Sequence, residues 1–129
     1  MNFTRVLRWQ NRAMVGVDLA LGVGALAAPA PMLRLMGHVD PSEDAQWLFR
    51  RCGPIWLTFA AAHAAAAVRG RREDWWALAW LRTTELATEV VWSRSPAFSS
   101  PGRRAALAST GAINLGMGLG FTYMARRER

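Results

Sequence analysis

Arg82, Glu85 and Glu89 stand inside one mostly apolar segment, Trp75–Ser93. At 3.6 residues per turn they share a narrow arc of a helix and form a single polar stripe. Arg82 can fully neutralise only one of the carboxylates expected near it, namely Asp18, Glu85 and Glu89. At least one of the three should therefore hold its proton, with burial raising its pKa. A neutral carboxylic acid in an apolar pocket is a proton donor, so Glu85, Glu89 and Asp18 are the candidate catalytic groups. Arg82 would tune them and help to bind a substrate, with His63 and Asn114 as polar neighbours and His63 as a partner in proton transfer. Trp56, Trp80 and Trp92 would offer ring faces to a lipophilic substrate and to a cationic intermediate. Each group also has a plainer reading. The stripe is equally the pattern of a structural ion-pair lock or of a solvated helix face. His63, flanked by Ala60, Ala61, Ala62 and Ala64, reads as a hydrogen-bonded interior histidine. The tryptophans read as packing bulk. No metal-ligand spacing, phosphate loop or nucleophile elbow occurs, and Gly22-Val23-Gly24 lies within an apolar run with no strand ahead of it, so no metal or cofactor is expected.

Four apolar segments must position these residues: Ala13–Leu33, Gly53–Val68, Trp75–Ser93 and Ala105–Ala125. None alternates with period two, which excludes half-buried strands and predicts helices. Ala105–Ala125 contains no charged residue and matches the roughly 20 residues needed to cross hydrocarbon. Charges at bilayer centre are expensive and normally face a bundle interior, which suits Arg82, Glu85 and Glu89. The chain therefore reads as one all-α domain over residues 1–129, a four-helix transmembrane bundle with short loops and an interfacial helical stretch before helix two. The mean hydropathy of +0.05 is low for a membrane protein and keeps a soluble helical bundle in play.

Boundaries follow from the breakers. The first segment is expected to begin earlier, as an interfacial turn carrying Trp9 and the arginines, and to loosen at Pro29 and Pro31. Its start resembles a signal peptide, but Asp18 within the stretch and a length reaching Leu33 predict a retained helix. Asp40-Pro41-Ser42-Glu43 reads as a helix start with Asp40 as cap and Pro41 in the first position. That helix should pass Trp47 and Arg51 and bend at Pro54. The short Arg69–Asp74 link makes segments two and three antiparallel neighbours, and Ser95–Gly102 is a loop.

The formal charge of +7 comes from arginine alone, since the chain has no lysine. The arginines cluster between apolar runs, where membrane-flanking residues belong, so nucleic acid is not the expected partner. The amino end, the Arg69–Asp74 link and the carboxyl end, Arg129 included, hold nine arginines against six on the other side. Both termini are thus predicted to be cytoplasmic in a multi-pass protein. Trp9, Trp47, Trp75 and Trp76 lie at segment ends, at the expected headgroup level. The bias toward arginine and alanine suggests a high-GC bacterium, hence a bacterial inner membrane. The single Cys52 excludes an internal disulfide and reads as a small buried residue.

Small residues at four-residue spacing form two ridges, Gly16, Ala20, Gly24 and Ala28 in the first segment and Ala108, Ala112, Gly116 and Gly120 in the fourth. These should let helices one and four touch. Asp18–Gly24 and Asn114–Gly120 are also alike, each headed by a polar residue, as a relic of an inverted repeat would be. From the rise per residue, Asp18 and Arg82 lie about 8 and 10 Å deep and could pair, while Glu85, His63 and Asn114 come level at about 15 Å.

Pro31-Met32-Leu33-Arg34-Leu35-Met36-Gly37 closing the first helix, Arg51-Cys52-Gly53 opening the second, and Leu81-Arg82-Thr83-Thr84-Glu85 in the third give a pattern that resembles the small four-helix DoxX-like membrane families. The resemblance covers most of the chain through short motifs. It implies a four-helix membrane bundle, usually without assigned activity, and carries over no catalytic residue.

The functional expectation is a membrane protein that binds a lipophilic small molecule in an intramembrane polar pocket, as an isomerase or terpene-type cyclase working by carboxylate proton transfer. The alternative is a non-catalytic accessory subunit of a larger membrane complex. Expected partners are membrane lipid, the lipophilic molecule, and either further copies of the chain or a larger complex. Ion transport along the carboxylate stripe is disfavoured, because four short helices leave little room for alternating access.

Overall fold

The computed structural model describes residues 2–96, 98 and 100–128, and the described residues are helical apart from short connections. The helices are α1 (Phe3–Ala27), α2 (Pro29–Leu35), α3 (Glu43–Arg50), α4 (Cys52–Arg69), α5 (Arg72–Trp92) and α6 (Pro101–Arg127). Part of the expected Ser95–Gly102 loop, residues 97 and 99, lies outside the described residues, as does Arg129.

The expected all-α class holds, but the transmembrane bundle does not. Among the described residues no helix is long and apolar enough to cross a membrane. The multi-pass inner-membrane placement and the cytoplasmic orientation of the termini, which depended on such spans, are overturned with it. The physical reason is that a run free of charge need not be apolar. Ala105–Ala125 holds Ser109, Thr110, Asn114, Thr122 and Tyr123 together with four glycines, and its alanines carry little apolar surface. In α5 the first turn holds Glu73 and Asp74, followed by Arg82, Glu85 and Glu89. The apolar part of α1 is bounded by Arg12 on one side and by the break before Pro29 on the other.

Local chemistry sets the helix ends. Pro29 occupies the first turn of α2, where its missing N–H costs nothing, so the expected loosening becomes a full break at Ala28. Ser42, not Asp40, caps α3, its hydroxyl accepting from the Ala45 N–H at 3.2 Å. The bend expected at Pro54 falls instead at Arg51, because starting a new helix at Cys52 puts Pro54 in a first turn, where no backbone donor is needed. Gly70 closes α4 in the left-handed region, at φ 59°, and the chain turns directly into α5.

Each long helix buries one stripe. Along α1 it runs Leu7, Asn11, Asp18, Gly22, Ala25, and along α6 Leu107, Gly111, Asn114, Gly118, Phe121, Ala125, the spacing of three and four that keeps one helix face inward. One apolar cluster joins Leu7, Ala66, Trp75, Leu78, Met117, Phe121 and Met124. A second joins Ala25, Leu33 and Phe49, with Trp56 and Trp92 packed against it. Every long helix also buries polar side chains: Asn11 and Asp18 on α1, His63 on α4, Arg82 and Glu89 on α5 and Asn114 on α6. Full burial of a side chain such as Phe121 favours the fold by roughly 1.5–3 kcal/mol, so the two apolar clusters help to offset the cost of burying these groups. Trp75, expected at a headgroup level, is instead 2% exposed and stacks on Phe121 with ring centroids 5.8 Å apart.

Helices α1 and α4 form one close pair, and α5 and α6 another. A Cβ built on Gly22 would lie 3.0 Å from the Gly53 carbonyl oxygen, and one built on Gly53 would lie 3.0 Å from that of Gly22. On the other pair, Gly118 faces Thr83 and the Ala79 carbonyl. The small ridges do not join helices one and four as expected. A Cβ on Gly16 or Gly116 would meet nothing within 4 Å, because these positions, with Ala20 and Ala112, face outward. Of the ridge glycines, Gly120 meets the opposite helix, at Leu7. The outer face of α1 also exposes Leu19, Val23 and Leu26.

Candidate functional site

Arg82 is the centre of the buried polar layer. Its Nε–H donates to His63 Nε2 at 3.1 Å, one terminal nitrogen donates to Asp18 Oδ2, and the other donates to Asn114 Oδ1 at 3.5 Å. The guanidinium also lies over the Phe59 ring, 5.3 Å from its centroid. Because His63 Nε2 accepts from Arg82, the ring proton is assigned to Nδ1, which lies 2.6 Å from Asn11 Oδ1. The Asn11 amide then donates back to the His63 carbonyl at 3.0 Å. Four helices thus meet in a network whose members are 5% exposed or less.

The electrostatics follow from burial and from that one cation. Burial, aided by the Arg82 charge, pushes His63 down to about 3, so the ring stays neutral. Burial raises the Asp18 carboxyl, and the charge and hydrogen bond of Arg82 oppose that rise. A buried pair of this kind is costly to dismantle from one side, since the remaining charge is left unpaired in low dielectric.

Beside this network lies a cavity of about 620 Å³. Its wall includes Asp18 and Met14 of α1, Arg34 of α2, Trp56 of α4, Arg82, Glu85, Glu89 and Trp92 of α5, and Arg103, Asn114 and Met117 of α6. A volume of this size matches a site for a small molecule, and its lining is mainly apolar with a few converging polar groups. Neither Glu85 nor Glu89 has an ion-pair partner among the described residues. Burial, and then the charge of Glu85, raise Glu89 to about 7. Burial and the nearby Asp18 raise Glu85, against the pull of Arg82. Glu89 Oε2 and Asp18 Oδ1 are buried without any hydrogen-bond partner. Such orphaned oxygens are uncommon in folded proteins and need a reason.

The structure brings together most of the residues singled out in the sequence. Asp18, Arg82, Glu85, Glu89, Asn114, Trp56 and Trp92 all line the cavity. The expected Asp18–Arg82 pair is present. The expected level of Glu85 with His63 and Asn114 is one turn off, for Arg82 occupies that level. His63 is not on the cavity wall, and its acceptor nitrogen Nε2 is already taken by Arg82, so it positions the guanidinium. Trp80 is 72% exposed and lies away from the cavity, having been placed by residue type and not by face.

Three contributors escaped sequence reasoning. Asn11 stands seven residues before Asp18 on the same helix face, a signal that could have found it. Arg34 sits on the short α2, and Arg103 at the start of α6 donates to the Gly37 carbonyl at 2.8 Å. Neither carries a periodicity that points to a site. Cys52 is half-buried and its thiol is pushed up by burial and by Glu85, which suits a packed residue and not a nucleophile. Among the described residues no group of three or more His, Cys, Asp or Glu side chains gathers as a metal site would require.

Comparison with known proteins finds no matching family model, no similar curated protein and no similar solved structure.

Proposed function

We propose that the chain binds a lipophilic small molecule in the α1–α5–α6 cavity and transfers a proton on it, the chemistry of an isomerase or cyclase. The observation that carries this reading is Glu89, a buried carboxyl with an orphaned oxygen on the cavity wall, raised to about 7 and thus able to give or take a proton near neutrality. In the proton-transfer step Glu89 gives a proton to an unsaturated centre of the substrate, and Glu85 removes one from another position. The substrate keeps its composition, no electron is exchanged, and the two carboxyls return to their starting states through solvent. Asn11 holds His63, His63 holds Arg82, and Arg82 holds Asp18, so the polar side of the cavity is fixed before a ligand enters. Pre-positioning of this kind is what proton transfer needs, since a general acid must sit within hydrogen-bond reach of its target.

The test is turnover of lipophilic β,γ-unsaturated ketones to their conjugated isomers, followed by ultraviolet absorbance. Conversion by the parent, with a loss of roughly 10²–10⁴-fold in E89Q, is the expected result. Equal turnover by the parent, E85Q and E89Q would remove both carboxyls from the chemistry.

A second reading, an accessory subunit of a larger complex, is favoured by one observation. Leu19, Val23 and Leu26 are each more than two-fifths exposed on the outer face of α1. An apolar patch of that kind marks an interaction surface. Gentle isolation separates the readings: a stoichiometric partner supports the subunit, and a small monodisperse particle supports the binding protein.

A further inference from the structure

We infer that the cavity ligand carries a basic amine: a lipophilic ammonium whose charge lies between Glu85 and Glu89, the two wall carboxylates that have no ion-pair partner among the described residues. This deepens the preceding reading and rests on it, since it presumes that the cavity takes a lipophilic small molecule.

The argument is a count of which charges in the wall are already satisfied. Six charged side chains line the cavity: Asp18, Arg34, Arg82, Glu85, Glu89 and Arg103. Arg82 is committed, donating to His63, Asp18 and Asn114. Arg103 donates to the Gly37 carbonyl, and Arg34 is exposed on α2. Cations are therefore either occupied or already in water. The carboxylates are not. Asp18 spends one oxygen on Arg82 and leaves Oδ1 bare; Glu89 leaves Oε2 bare; Glu85 and Glu89 have no ion-pair partner among the described residues. Asp18 is fully buried and Glu89 is 8% exposed, so neither charge is screened as a surface carboxylate is. What the site lacks is donor N–H and positive charge.

The rest of the wall fits the same ligand. Trp56 and Trp92 flank the carboxylates from α4 and α5, and an aromatic face attracts a cation within about 6 Å of its centroid. Met14, Leu21, Leu107 and Met117 supply a soft apolar surface for the ligand body. One ammonium balances one carboxylate, leaving the other carboxyl with its proton for transfer. An anionic ligand would face two carboxylates with no free buried cation to offset them.

Three pyrene derivatives that differ in their polar end test this: 1-pyrenemethylamine, 1-pyrenemethanol and 1-pyrenecarboxylic acid, titrated at neutral pH with pyrene fluorescence as readout. The parent protein should bind the amine at least about tenfold more tightly than the alcohol, and the acid weakest. In E85Q/E89Q the alcohol should bind as before and the amine preference should fall below about twofold. Should the double variant fail to bind the alcohol, E85Q and E89Q decide singly, each showing a reduced preference. Alcohol or acid binding as tightly as the amine overturns the amine inference and leaves the lipophilic cavity standing. Absence of binding by all three overturns both. An amine preference that survives the glutamine substitutions overturns the assignment to these carboxylates.

Discussion

The Nε–H of Arg82 on α5 points at Nε2 of His63 on α4, 3.1 Å away, so the histidine acts as an acceptor and the arginine cannot be replaced by a group with a single donor. The same guanidinium binds Asp18. Loss of one partner from a buried pair costs about 3–5 kcal/mol, because the other charge is stranded. R82M should destabilise by that amount, and R82M/D18N should recover a large part of it. Urea unfolding of the parent, the two single variants and the double variant checks this, and additive single effects would contradict the pair.

Glu89 should give a stability effect with a defined sign. Its folded pKa of about 7 lies above the ordinary 4.5, so the stability that it contributes is fully present below 4.5 and is lost as pH rises through 7. E89Q does not titrate. Its stability relative to the parent should grow from pH 4.5 to pH 7 and then level, by about 1–3 kcal/mol in all. Unfolding free energies at pH 5, 6, 7 and 8 give the curve, and a flat difference would contradict a raised Glu89.

His63 has the opposite sign. Held at about 3 against an ordinary 6.5, it binds a proton more readily in the unfolded chain, so stability falls as pH drops from 6.5 toward 3. In H63Q that contribution is absent. The parent's advantage over H63Q should shrink steadily over the same interval, as read by thermal melting in matched buffers. Between pH 4.5 and 6.5 the Glu89 and His63 slopes oppose one another, so E89Q should reveal a steeper acid sensitivity than the parent.

The glycines divide into two classes. A Cβ on Gly53 would lie 2.5 Å from Leu26 Cγ and 3.0 Å from the Gly22 carbonyl, whereas one on Gly16 or Gly116 would meet nothing within 4 Å. G53A should cost about 1–3 kcal/mol through overpacking. G16A and G116A should each add about 0.5–1 kcal/mol through helix propensity. Urea midpoints suffice as the measurement, and a gain in G53A would mean that α1 and α4 do not approach as described.

Much of the site was legible because helical period and charge are local properties. Arg82, Glu85 and Glu89 had to share a face in any helix, and a lone arginine among carboxylates had to leave some of them unpaired. Asp18 and Asn114 head similar heptapeptides, and both reach Arg82 from opposite sides of the layer. What escaped depended on tertiary context. Counting rise from segment ends misses the level by one turn, since Arg82 and not Glu85 stands with His63 and Asn114, and a level of this kind is set by packing between helices. The membrane assignment failed because absence of charge was taken for hydrophobicity in segments rich in glycine, serine and threonine. The ridges of α1 and α6 were read as contact faces by spacing alone, yet the helix pairs are set by Gly22 with Gly53 and by Gly111 and Gly118 against α5.

The approach of Gly22 to Gly53 brings main chain of α1 to main chain of α4, with the Leu26 and Leu57 side chains packed beside it. A spacer made of backbone has one length and no alternative rotamer. The gauge so fixed lies one turn from Asp18, and it holds the carboxylate at a constant reach from the helix that carries His63. The polar layer therefore inherits its calibration from two residues that contribute no side chain at all.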